Sequence, residues 1–470
     1  MSLATAAFDA ALRSLPSIPP AQRPAYDVFA PAAAPVAPGA LPRNGAIAAA
    51  ARALDTGATT CLALTERALE RVAVDEWTAF VEVTAAQALA EARVLDAELR
   101  RGRRRGPLHG IPVSVKDVID VRGTPTRCGS QAYAALPERD AAAVRRWREA
   151  GAVILGKTST HEFALGVTSP QARNPHDPAR IPGGSSGGSA IAVATGMGLA
   201  SLGTDTRASI RVPAALCGVV GLKPTYGTVP TDGVVPLSWT MDHVAVMAGT
   251  PEDAALALDA LRPEAAPVAP AAGGRVSHLR VGLATAAWEG AEPAVEAAVA
   301  RSVDALRALV ARVEETGRPG AADFGGANAM GLLVSRCEAA AFHRSAGLDR
   351  SLYWPEVRDQ LDTADGVLAT DYIDAQRYRA SLREEMLAVL REHHVLAMPA
   401  APVLAPPVER ADEYLTILSR NAILWSFVGF PAISVPCPSE GLPVGLQLVA
   451  GPGGESLLIA LATALTRGDA

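Results

Sequence analysis

Four short apolar runs fall within one stretch of the chain: "IPVSV" at 111–115, "AVILG" at 152–156, "LASLG" at 199–203 and "GVVGL" at 218–222. Each has the length of a buried strand and is too short for a helix that must bury itself alone. Helical stretches fill the gaps, for example at 140–150 and 186–196. This alternation requires an α/β sheet with helices on its faces, because a strand apolar on both sides must be covered twice. Further helical periodicity covers 45–56, 60–72 and 85–101. Beyond an alanine- and proline-rich stretch at 263–274, the later half has long helices near 291–314, 329–345 and 375–393. It then supplies strands at 395–400, 432–436 and 444–450, so two stretches of chain contribute strands, to one sheet or to two. Residues 14–43, rich in proline and alanine, read as an extended arm.

Several functions are excluded early. The formal net charge is −6 and no basic domain stands out, so nucleic acid is not an expected partner. The one dense basic patch, Arg100, Arg101, Arg103, Arg104 and Arg105, closes a helical stretch and reads as a solvated helix end. Five scattered cysteines show no CxxC spacing, which fits free thiols in a reducing compartment and no metal site. Asp9 and Arg13 interrupt what would be the apolar core of a signal peptide. The long charge-free windows, 181–204 and 421–439, are broken by glycine, serine or proline, so no membrane span is expected. The expected setting is the cytoplasm.

Lysine is scarce. Lys116, Lys157 and Lys223 are the three lysines of the chain, and each follows an apolar strand-like run. A genome rich in arginine codons accounts for the scarcity. Arginine replaces lysine on a surface but does not give up its proton, so lysines that persist are candidates for proton chemistry.

Two pattern matches fail on physical grounds. "GAVILGKT", Gly151 to Thr158, has the spacing of a phosphate-binding loop, but its middle residues are the strand itself rather than an exposed loop. "GGSSGG", 183–188, satisfies G-x-S-x-G at both Ser185 and Ser186. A nucleophile elbow needs a buried strand directly before the serine, and "NPHDPARIP" is a proline-broken loop. Read whole, the region offers a third arrangement. "GGSSGG" leads into a helical run and then the strand "LASLG", which ends in "TDTRAS" before another helix. Ser209 then sits at a strand-to-helix turn whose amides can face a common pocket, and a lysine kept neutral by burial can replace histidine as base.

At these residues the chain resembles the amidase signature family. The resemblance rests on "PGGSSGGSAIAVATGMGLASLGTDTRASIRVPAALCGVVGLKPTYG" at 182–227, with "HGIPVSVKDVID" at 109–120 and "GLPVGLQLVAGPGGE" at 441–455. It implies a single large domain over 46–470, a mixed β-sheet covered by helices on both faces, behind an arm over 1–45. It implies a serine, cis-serine, lysine triad of Ser209, Ser185 and Lys116, with a cis peptide joining Gly184 to Ser185. Ser209 follows Ser185 by 24 residues, in keeping with the family arrangement. The implied oxyanion donors are the amides of Thr206, Arg207 and Ala208. Asp205, Arg211 and Ser186 resemble the supporting shell, a surface ion pair being the alternative for the first two. The implied reaction is hydrolysis of a carboxamide through a serine acyl-enzyme, without cofactor or metal.

The alternatives are the glutaminase subunit of a tRNA-dependent amidotransferase, which works in a complex, and a non-catalytic member. The expected partners are a small-molecule amide and, as an open option, a second copy of the chain. The chain departs from the family at Arg207 and Ala208, where two glycines are usual. Either the Arg207 side chain turns inward and reads a carboxylate on the substrate, or it turns outward and only its amide matters. Specificity is expected from the helical stretch around 320–390 and loops near 125–135.

Overall fold

The apolar runs fold as strands of one sheet in a computed structural model that describes residues 45–262 and 264–467. The proline- and alanine-rich arm lies outside the described residues. In chain order the strands are β1 (Phe80–Val83), β2 (Pro112–Lys116), β3 (Val153–Thr158), β4 (Ala200–Asp205), β5 (Val220–Lys223) and β6 (His243–Ala248). The later half adds β7 (Arg280–Ala284), β8 (Arg312–Thr316), β9 (Val395–Pro399), β10 (Ala432–Pro436) and β11 (Gly445–Val449). Their order across the sheet is β1-β3-β2-β4-β6-β5-β10-β11-β9-β7-β8. Pairing of β5 with β10 joins the two halves of the chain into one sheet and one domain.

The sheet is mixed. β2 runs parallel to both β3 and β4, and β7 runs parallel to β8 and β9. The pairs between them are antiparallel. Strand periodicity decides which side chain faces which layer. In β6, Val244, Val246 and Ala248 enter the larger core. Ala245 and Met247 face the other way, onto Ala190, Ile191 and Val193 of the helix Gly187–Ala194. Both faces are therefore covered, and central strands such as β3 and β4 are buried along their whole length.

The structure adds strands where the sequence reading places none: β1, β6, β7 and β8. β1 and β8 are the two edges. "RVEET" of β8 is charged and half-exposed, so it lacks the alternation of a core strand, and the helix expected over 291–314 stops at Leu309 instead. Charged edge strands resist pairing with other chains. The helix expected over 329–345 begins at Ala321, because "DFGGAN" hides its first turns behind poor helix formers. Gly326 has a packing reason: a Cβ there would overlap the Tyr378 hydroxyl on the neighbouring helix Ala369–Glu392.

Candidate active site

The chain passes from β2 out to β3 and then back across β2 to β4. The carboxyl ends of the adjacent parallel strands β2 and β4 lie beside this change of direction, the place where open α/β sheets form crevices. Lys116 is the last residue of β2 and is fully buried. Its Nζ stands 2.7 Å from Ser185 Oγ and 2.7 Å from Thr204 Oγ1 of β4. Burial pulls its pKa down to about 7, although Asp205 and Asp242 oppose the shift. The amine therefore has a substantial neutral fraction at neutral pH, with a lone pair able to accept the Ser185 hydroxyl proton.

Ser185 lies on a loop fixed from several sides. Asn174 donates to the carbonyls of Ile181 and Leu216, closing the loop at its base. Gly183 adopts φ +78°, a left-handed conformation that glycine enters without a Cβ penalty. The Gly184–Ser185 peptide is cis, as the resemblance implies. The Ser185 carbonyl accepts from the His161 amide and from Ser169 Oγ, each at 3.1 Å. Ser186 Oγ donates to the Thr204 carbonyl at 3.2 Å, tying the serine loop to the end of β4.

β4 ends at Asp205, and the turn through Thr206, Arg207, Ala208 and Ser209 leads into the short helix Arg211–Cys217. Asp205 and Arg211 form a two-bond ion pair, 2.9 Å for Nη2–Oδ1 and 3.0 Å for Nε–Oδ2, with neither side chain exposed. They are a buried brace rather than a surface pair. Arg211 also donates to the Arg207 carbonyl at 2.9 Å, and the Ile210 amide donates to Asp205 Oδ2 at 3.2 Å. Burial alone would raise the Asp205 carboxyl. The charge and hydrogen bonds of Arg211 overcome it and hold the group below the usual carboxylate range. Ser209 is buried at 3 % exposure inside this braced turn.

The sequence reading misses four partners: Thr204, Asp242, Ser426 and Gln447. Thr204 is the second hydroxyl on Lys116. Thr206 Oγ1 donates to Asp242 Oδ1 at 2.6 Å, and Asp242 accepts from the amides of Leu237 and Ser238. Burial raises the Asp242 carboxyl to about 7 against these bonds. Ser426 and Gln447 complete the shell around Arg211, each at 2.7 Å. A signal for Asp242 exists in "TMDHV", a carboxylate directly before a buried apolar run, but nothing local links it to Thr206.

The other two lysines have structural partners. Lys157 stands 2.9 Å from Asp117 Oδ1 and 2.9 Å from Thr126 Oγ1, inside β3 and away from any exposed loop. Lys223 donates to the carbonyls of Phe430 and Pro224. The arginine run is a paired helix end: Arg103 and Arg105 meet Glu98, and Arg104 meets Asp55. Arg207 turns inward at 7 % exposure and donates to the Leu165 carbonyl at 3.2 Å. Among the described residues, no helix is long and apolar enough to cross a membrane.

A family model described as Amidase matches residues 63–459. The chain is 36 % identical over 469 residues to a glutamyl-tRNA(Gln) amidotransferase subunit of Chloroflexus aurantiacus, covering 90 % of this chain and 96 % of that one. It is 37 % identical over 382 residues to an amidase of Pseudomonas putida, covering 76 % and 81 % of the two chains. A solved structure described as an amidase superposes with a TM-score of 0.82 at 39 % identity, covering 90 % of this chain and 99 % of that one.

Proposed function

From the premise that the chain belongs to the amidase family, we propose a hydrolase that splits a carboxamide through an acyl-enzyme on Ser209. The observation that carries this reading is the buried Lys116 amine, pulled down to about 7 and lying 2.7 Å from Ser185 Oγ. Ser209 Oγ attacks the amide carbonyl carbon and passes its proton to Ser185, which passes its own to neutral Lys116. The amides of Thr206, Arg207 and Ala208 receive the oxyanion. The intermediate collapses as the relay returns a proton to the leaving nitrogen, and ammonia or an amine departs. Water, activated by the same relay, then cleaves the ester and releases the acid. Asp205, Arg211 and Ser186 hold the turn and the serine loop in register.

The domain of this enzyme is taken as 46–470, acting in the cytoplasm, with a second copy of the chain as a candidate partner. Light scattering on the purified chain tests the assembly. The test of the chemistry is a fluorophosphonate serine probe together with ammonia release from a panel of amides. Labelling at Ser209, and loss of both label and turnover in Ser209→Ala, support the reading. Labelling at Ser186 instead would return the nucleophile to the glycine-serine loop.

A second reading, the glutaminase subunit of an amidotransferase, is favoured by the 36 % identity to a protein of that description over 90 % of the chain. Ammonia release by the isolated chain at full rate, with no other protein added, decides against it.

A further inference from the structure

Two arginines flank Ser209, each two residues away, and they are treated differently. Arg211 is matched to Asp205 by two hydrogen bonds. Arg207 is also buried, at 7 % exposure, yet its guanidinium donates to a carbonyl, that of Leu165, at 3.2 Å. The same carbonyl accepts from Gln360 Nε2 at 3.1 Å, and Gln360 Oε1 accepts from Arg336 Nε at 3.4 Å. The helices Ala321–Ala346 and Pro355–Ala364 thereby bring a second guanidinium towards the first.

Among the described residues, neither Arg207 nor Arg336 forms an ion pair with a carboxylate. The nearby acid Glu356 lies 3.6 Å from His161 Nε2. Burial, reinforced by the charge of Arg336, brings Arg207 down to about 10, so it stays charged at neutral pH. His161 is kept neutral by its burial and by Arg207 and Lys116, so it supplies no compensation and adds no charge.

A buried cation without a counter-ion is strongly unfavourable, and the protein pairs Arg211 within the same turn. The missing anion is best supplied by what binds. The Arg207 backbone amide is a proposed oxyanion donor, so its side chain starts at the scissile carbonyl. A guanidinium presents paired donors that match the two oxygens of a carboxylate.

We propose that the substrate is an amide that also carries a carboxylate close to its scissile carbonyl, bound by Arg207 and Arg336 together. This specificity rests on the reading of Ser209 as nucleophile and deepens it.

The test separates binding from turnover. Titration calorimetry on the Ser209→Ala protein compares succinamate with butyramide, a neutral amide of similar size. Succinamate is expected to bind at least roughly tenfold more tightly, the scale of a charge-assisted hydrogen bond. Arg207→Gln and Arg336→Gln, each in the Ser209→Ala background, are expected to remove roughly 10–100-fold of that preference. Arg336 is half-buried on a long helix, so its variant stands if the Arg207 variant fails to fold.

Equal affinity for the two compounds, no binding of either at tens of millimolar, or a preference kept in Arg336→Gln would each overturn the proposal. Failure of the nucleophile reading shows separately, as absence of probe labelling at Ser209 in the wild type. A neutral-amide hydrolase labelled at Ser209 with no preference for succinamate would sink the carboxylate site alone.

Discussion

Lys116 Nζ meets Ser185 Oγ at 2.7 Å, joining the end of a central strand to a loop that lies far along the chain. This contact couples a depressed amine to the hydroxyl nearest the nucleophile in the proposed relay. Lys116→Arg is therefore expected to be nearly as damaging as Lys116→Ala, each lowering kcat by several orders of magnitude. Arginine keeps the charge and hydrogen-bonding capacity but does not accept the proton. Steady-state ammonia release by the two variants checks this, with circular dichroism to confirm folding. Retention of most activity by the arginine variant would remove Lys116 as base.

The same amine sets the pH profile. With its folded pKa near 7 and its ordinary value at 10.5, Lys116 is protonated and idle below about 6 and neutral above about 8. On a neutral amide, kcat/KM is expected to rise with pH through a limb centred near 7 and then level off. The linkage to stability has the same sign. Between the two pKa values the unfolded chain holds the extra proton, so this group's contribution to stability improves as pH rises from 7 towards 10.5. A limb near 9–10 would mean that the amine is not desolvated in solution.

Much of this site was legible because its chemistry lies in two contiguous stretches. The scarcity of lysine singled out Lys116, Lys157 and Lys223 alike, the family resemblance chose Lys116 among them, and the strand-to-helix turn pointed to Ser209. Strands such as β3 were readable from uninterrupted apolar runs, which also removed the phosphate-loop match. What escaped reading depends on long-range packing. Asp242 is matched to Thr206 only because β6 lies beside β4. Gln360 shares the Leu165 carbonyl with Arg207, and Arg336 reaches Gln360, through two helices whose surface patterns say nothing about a partner. β8 was hidden by its charges, which suit an edge strand and resemble a helix surface.

Gly326 offers a test of how closely the helices Ala321–Ala346 and Ala369–Glu392 must pack. Alanine is favoured over glycine in a helix by about 1 kcal/mol, so Gly326→Ala would stabilise an isolated helix. Here the new Cβ would overlap the Tyr378 hydroxyl and lie 2.7 Å from the ring carbon that bears it. Overpacking of this kind costs roughly 1–3 kcal/mol. We expect a net loss of about 1 kcal/mol or more in chemical denaturation, partly recovered in the double variant with Tyr378→Ala. A stabilised single variant would show that the two helices have room to separate.

The Asp205–Arg211 pair is expected to be the costliest part of the turn to break. Both side chains are fully enclosed, and Arg211 also holds the Arg207 carbonyl, Ser426 and Gln447. Asp205→Asn leaves that guanidinium without its counter-ion, and breaking one side of such a pair costs about 3–5 kcal/mol. The sign with pH follows from the depressed carboxyl. The stabilisation is present at neutral pH and is lost as acid protonates Asp205 below its ordinary pKa of 3.8, so the gap between wild type and variant should narrow in strong acid. Chemical denaturation at pH 7 and in acid measures that gap. Turnover adds an independent readout: the pair fixes the backbone on both sides of Ser209, so kcat should fall well before the variant unfolds. A variant that keeps wild-type kcat while losing stability would assign the pair to the core alone and leave the turn to be held by Thr206 and Asp242.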